Sequence, residues 1–167
     1  MILFLRVLGW IIVFAIIAVV GFSLYVRTAD TDPDRWHVDP LTAPSTGNPN
    51  SWRLVPEGMD APEPDAVAPV YAVEPATLSD RFASWISDRN GTRLLAQSDD
   101  GLWMTWEERS RLMGYPDYIS VRFMAADEGG STMAVFSRSR YGKSDLGVNA
   151  ARGDALLEAL KDIERPG

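Results

Sequence analysis

Hydrophobic and polar positions divide the chain into three stretches. Val7 to Val26 is an uncharged run of twenty residues bracketed by Arg6 and Arg27. Wound as a helix at about 1.5 Å per residue it reaches roughly 30 Å, the thickness of a bilayer core. Trp10 and Tyr25 lie near its two ends, where amphipathic rings favour the interface. The pattern predicts a transmembrane helix over 7–26 after a short tail, residues 1–6. Gly21-Phe22-Ser23 offers the small residues of a signal-peptide cleavage site, but the apolar run continues to Val26, which favours a retained anchor.

The third stretch, residues 77–167, carries alternating and helical periodicities. After Thr77, Leu78, Phe82, Trp85 and Ile86 line one helical face, with Thr77 as cap, Asp80 in the first turn and Asn90-Gly91 as the stop. Strands are predicted at Thr92–Gln97, Leu102–Ser110, Tyr118–Ala126 and Ser131–Arg140. Turns at Ser98–Gly101 and Gly114–Asp117 and a hairpin at Asp127-Glu128-Gly129-Gly130 join them. A last helix begins after Asn149 as N-cap and buries Leu156, Leu157, Leu160 and Ile163. The order α-β-β-β-β-α predicts an α+β fold, a two-layer domain whose four-stranded antiparallel sheet is covered by two helices on one face.

Residues 28–76 break both periodicities. They hold nine of the eleven prolines, each removing a backbone donor and pushing its neighbour toward extended geometry. This stretch reads as a proline-rich acidic linker. Trp36, Trp52, Leu54, Val55, Val70 and Tyr71 are too apolar for a solvated tether, so the arm is expected to lay some of them on the domain.

Charge sharpens that division. The net charge of −7 is carried by the arm, whose nine acidic side chains face only Arg35 and Arg53. The domain, with fourteen acidic and twelve basic residues, is near balance, which argues against a nucleic-acid partner. Cysteine is absent and His37 is the single histidine, so thiolate and all-histidine metal sites are excluded and no cofactor is implied.

Positively charged chemistry gathers in Phe136–Asn149. The run Ser137-Arg138-Ser139-Arg140 … Ser144-Asp145-Leu146-Gly147-Val148-Asn149-Ala150-Ala151-Arg152, with Met113-Gly114-Tyr115-Pro116-Asp117 upstream, resembles the domain of unknown function 1499 family of uncharacterised bacterial membrane-anchored proteins. Members carry an arginine-serine run, a serine-aspartate-leucine-glycine-valine-asparagine segment and an arginine on a terminal helix. The resemblance covers roughly residues 70–165. Some relatives have a cysteine near the start of the domain; this chain does not, so no thiol role is implied. The family has no established activity, and the resemblance supplies no catalytic residue.

If the apolar side of the sheet faces the helices, Arg122, Arg138 and Arg140 share its uncovered face. That cluster reads either as an anion site, with forked donors for carboxylate or phosphate, or as cross-strand pairing with Glu107, Glu108 or Asp117. The loop Tyr141–Asn149 reads as a structural clasp, with Asp145 and Asn149 tying down backbone amides, or as a binding loop that includes Lys143. Gly142-Lys143-Ser144 is no phosphate-binding loop, because Ser137 stands where its first glycine belongs. The nucleophile-elbow pattern Gly-x-Ser-x-Gly is missing, a serine–lysine dyad with Lys143 has no support, and Asp117, Asp145 and Asn149 lack calcium-loop spacing.

The expected protein is therefore a non-enzymatic binding or envelope-associated module, single-pass in the bacterial inner membrane with a periplasmic domain. Its candidate binding residues are Arg138, Arg140, Arg122, Asp117, Lys143, Asp145 and Asn149. Its expected partners are the membrane and an unknown protein or small anionic ligand. The alternative is an enzyme on an anionic substrate, with Asp117 or Asp145 as base.

Overall fold

The structure, a computed structural model of the chain, describes residues 1–127 and 129–166. Glu128, in the expected hairpin, and Gly167 lie outside the described residues. The apolar run forms one helix, α1 (Ile2–Thr28), in which only Val26 is buried by the rest of the chain. It is long and apolar enough to cross a membrane.

After α1 come a single helical turn, α2 (Pro33–Trp36), and two strands, β1 (Ser51–Pro56) and β2 (Ala66–Ala68). Helix α3 (Pro75–Ser87) leads to β3 (Thr92–Gln97), β4 (Trp103–Arg109), β5 (Pro116–Ala125) and β6 (Ser131–Ser139). The chain closes with α4 (Val148–Ala159) and a 3-10 turn, Lys161–Ile163. Expected and observed strands agree to within two residues for β3 to β6.

The sheet is larger than expected. It has six strands in the order β2-β1-β6-β5-β4-β3, with β1–β2 parallel and the rest antiparallel. The two added strands come from the stretch read as a linker. Trp52 and Leu54 alternate with Arg53 and Val55 in a strand's period of two. That alternation is short and framed by Pro49 and Pro56, which obscured it; Pro56 ends the strand where a donor would next be needed.

Helices α3 and α4 pack on one face. Leu78, Phe82 and Ile86 of α3, Leu156 of α4 and Leu160 just after it bury against Met104, Ile119, Val121, Phe123, Met133, Val135, Trp52 and Leu54. Leu157 and Ile163 are only partly buried at its margin. Helix α3 starts at Pro75 after Glu74, not at Thr77, because proline's fixed φ suits the first helical position. It also ends ahead of Asn90-Gly91. Asn149 is not the cap of α4 either: Gly147, at φ 81°, takes that place and Asn149 turns inward.

The opposite face was expected to be open, and it is not. Residues 30–43 lie across it, with Trp36 stacked on Tyr118 at 4.0 Å between ring centres and His37 on Trp103 at 4.0 Å. The domain therefore has a third layer, made of irregular chain.

Candidate functional site

What holds an irregular, proline-rich segment on a sheet is its carbonyls. Proline removes the N–H but leaves the oxygen, and the covered face supplies donors from arginine side chains. Arg138 donates from Nη2 to Trp36 O at 2.6 Å, and Arg140 from Nη1 to Asp30 O at 2.8 Å. Arg53 donates to Pro40 O at 3.0 Å and Ala43 O at 2.8 Å. Arg109 donates to Val26 O at 2.9 Å, and the Trp103 indole to Val38 O at 3.3 Å. Arg122 pairs with Asp39 of the arm.

Arg138 is thus a buried residue, 5% exposed. Its Nη1 also donates to Ser120 Oγ and Phe136 O, both at 3.2 Å. The rings of Phe136 and Trp36 lie 4.9 Å and 5.7 Å from its guanidinium carbon, within cation–π reach. Arg53 sits on the same Phe136 ring at 3.9 Å. Burial, and then the neighbouring charge of Arg53, pull Arg138 down to about 9, so it stays charged at neutral pH. Arg138 and Arg140 do not pair with Glu107, Glu108 or Asp117.

Glu107 serves the arm from the sheet side. It is fully buried and accepts from Arg93, Arg109 and the hydroxyl of Thr31, the last at 2.5 Å. Burial raises its pKa, but these donors outweigh it and hold the carboxyl below its ordinary value. A hydroxyl relay crosses the same face, from His37 Nδ1 to Thr105 Oγ1 and on to Ser120 Oγ, at 2.9 Å each. Sequence alone gave no reason to join His37 to these hydroxyls, which are far away along the chain.

Asp117, Asp145 and Asn149 belong to a second cluster, between β6, β5 and α4. Arg152 is its hub, donating to Glu108 at 2.6 Å, Asp117 at 2.8 Å and Ser137 Oγ at 2.7 Å. Ser137 donates to Asn149 Oδ1 at 2.7 Å, and Asn149 Nδ2 reaches Asn50 O at 3.1 Å. Asp145 accepts the N–H groups of Gly147 at 3.0 Å and Asn149 at 2.8 Å, capping α4 from outside. Against the effect of burial, those donors hold Asp145 below its ordinary pKa. Burial raises Asp117, and the charge of Arg152 opposes it. Lys143 is exposed on the loop. The arrangement ties the last strand to the last helix. Arg152, noted only as part of the family pattern, is its centre.

The seven candidates therefore split. Arg138, Arg140 and Arg122 bind the arm; Asp117, Asp145 and Asn149 build the clasp; Lys143 joins neither. Among the described residues no three histidine or carboxylate groups converge to hold a metal ion. An open cleft of about 340 Å³ lies at the other end of the arm, lined by Ser45, Asn48, Ser51, Arg53, Glu63 and Asp65 among others. None of its polar side chains was singled out as a candidate from the sequence.

A family model described as a protein of unknown function, DUF1499, matches residues 37–160. The chain belongs to the DUF1499 family. The match begins at His37, so the DUF1499 unit takes in part of the covering arm, β1 and β2, well before residue 70. Within the matched region, Arg138 and Arg140 help fasten the arm to the sheet, and Ser137, Asn149 and Arg152 the terminal helix. No curated protein and no solved structure matches the chain.

Proposed function

We infer that this DUF1499 protein is a single-pass, envelope-associated binding module, not an enzyme, with its domain on the periplasmic side of a bacterial inner membrane. The observation that carries the reading is the contrast between α1 and the domain. The most hydrophobic 18-residue stretch of α1 is wholly unburied, while Arg138, Arg140, Arg152, Asp117 and Asp145 are engaged by groups of the chain itself. An apolar helix of that length left outside the core needs a lipid solvent. The lysine-free segment that follows α1, with Arg35 and Arg53 as its only basic residues before residue 77, favours the outward placement of the domain.

The alternative enzyme needs an aspartate beside Arg138 and Arg140 in a concave, accessible site. Asp117 is instead held by Arg152 and Asp145 by backbone amides, and the two arginines lie under the arm. Recognition is better served by the 340 Å³ cleft. Its serine and asparagine groups beside two carboxylates suit a small polar, hydroxyl-bearing ligand rather than an anion.

Full-length protein in detergent micelles, titrated by NMR with neutral saccharides and, separately, with inorganic phosphate, tests this. Saccharide-dependent shifts at Ser45, Asn48 and Ser51 that vanish in Asn48→Trp are expected. Shifts with phosphate alone, or turnover of the added ligand, would overturn the reading. Protease digestion of intact spheroplasts tests the topology: a fully protected domain would contradict the outward placement.

A further inference from the structure

The end of α1 does not simply lead into a tether. It is gripped by the turn between β4 and β5. Ser23 Oγ donates to Met113 O at 3.1 Å, and Arg27 Nη2 donates to Arg111 O and Leu112 O at 2.9 Å each. Arg109 returns a bond to Val26 O at 2.9 Å. The side chain of Arg27 fills the space that a Cβ at Gly114 would need, and Gly114 sits at φ +75°, where glycine is favoured.

These bonds fix a depth. Ser23 lies three residues before Val26, the last residue of the uncharged run, or about 4.5 Å along the helix axis. The interfacial layer on each side of a bilayer is roughly 5–8 Å thick. A turn bonded both to Ser23 and to Arg27 therefore lies within that layer when α1 spans. A chain of rings continues across the junction. Phe22 lies 6.4 Å from Tyr25 and 6.2 Å from Tyr115, and Tyr115 lies 6.0 Å from Tyr141. Leu112, at the tip of the turn, is 83% exposed beside exposed Arg111. A leucine held out from a domain in this way leaves apolar area in water unless something covers it.

We propose that the turn Ser110–Tyr115 is a second membrane contact. Leu112 enters the lipid interface beside α1, Arg111 lies at headgroup level, and Tyr115 and Tyr141 extend the aromatic belt begun by Phe22 and Tyr25. The proposal rests on the reading that α1 spans a bilayer. Its occupant is lipid, because the turn is bonded to the very residues that must sit at the lipid–water boundary. The consequence is orientation: a domain fastened at two points on the interface holds one end of its sheet to the membrane instead of swinging on a linker.

The absence of cysteine makes the test clean. Val13→Cys, Leu112→Cys and Asp127→Cys each introduce a single thiol for a solvent-sensitive fluorophore in the full chain. The chain is reconstituted in phosphatidylcholine–phosphatidylglycerol vesicles carrying nitroxide lipids. Asp127, exposed beyond the far end of β5, sets the aqueous baseline. The expected result is a blue-shifted label at 112, quenched by shallow nitroxides, and a label at 13 quenched by deep ones. A quenched label at 13 with an aqueous, unquenched label at 112 overturns the second contact and leaves the span standing. An unquenched label at 13 removes the span and this proposal together. A label at 112 shielded from water yet unquenched by lipid also overturns it, and points to a second copy of the chain on the turn.

Discussion

Arg138 and Trp36 are 102 positions apart and joined by a 2.6 Å hydrogen bond from the guanidinium to the tryptophan carbonyl. The same indole stacks on Tyr118, the cross-strand neighbour of Arg138. One arginine therefore serves as the donor to a main-chain carbonyl of a segment that pairs with no strand. It does so with its charge desolvated and no carboxylate bonded to it.

Truncation at that position separates the roles of stem and charge. Arg138→Ala removes the bonds to Trp36, Ser120 and Phe136 and leaves a void among rings, for an expected loss of about 2–4 kcal/mol. Arg138→Met keeps the stem's packing and removes a desolvated charge, so it is expected to retain most of that stability. Arg140→Ala, nearer the surface, is expected to lose less than about 1 kcal/mol. Denaturant titration of the full chain in micelles reads all three. Tryptic cleavage at Arg35 should accelerate in Arg138→Ala in proportion to arm release.

The arm should also loosen in acid. Burial lowers the pKa of His37 below the ordinary 6.5, so the folded protein favours the neutral ring that meets Thr105 and stacks on Trp103. The unfolded chain binds the extra proton first. Stability from this group is therefore full above pH 6.5 and is lost as pH falls from there through the folded value. His37→Phe keeps the stacking and removes the titration. Arm proteolysis that rises with acid in the parent but not in His37→Phe is the expected result.

Much of this fold was legible in the chain, for identifiable reasons. Strands β3 to β6 carry alternation over six to ten residues between glycine-bearing turns, and α3 shows Leu78, Phe82 and Ile86 on one face. Periodicity records which side chains face a core, and these face one. The arm faces a core too, but it is fixed mainly by its main-chain oxygens, which have no signature in sequence. Arg122 and Arg138 were correctly assigned to one face by alternation. Their apparent openness followed from the arm having no period of its own. In the same way, Asn149 looked like a cap because asparagine often is one; its inward turn depends on Ser137 and Arg152 being brought to it by the sheet.

The clasp predicts an unequal response from its two ends. Arg152→Met strips a buried cation from Asp117 and Glu108 and is expected to destabilise by about 3–5 kcal/mol. Asp117 already titrates above its ordinary 3.8 because of burial, with Arg152 opposing the rise. Its raised value means that stability is present below pH 3.8 and is lost as pH rises through the folded value. Without Arg152 that window should widen toward neutrality. Asp117→Asn in the Arg152→Met background should recover part of the loss at pH 7. Denaturant midpoints of the single and double variants across pH 4–8 provide the check.

Helix α4 approaches β1 only because Gly153 has no side chain. A Cβ there would come within 2.5–2.6 Å of three ring atoms of Trp52, inside any allowed carbon–carbon separation. Trp52 is nearly fully buried between the helix and Ser137 of β6, its strand partner. It has little room to yield, so α4 itself must lift. Gly153→Ala is therefore expected to destabilise by about 1–3 kcal/mol, although alanine is the better helix former. The displacement also draws Arg152 away from Asp117, so the loss exceeds what the methyl alone explains. Trp52→Leu opens the space, and the double variant should be more stable than the sum of the two single losses allows. A strictly additive pair in a double-mutant cycle would show that α4 is seated by the Arg152 network and not by the closeness of glycine to the indole.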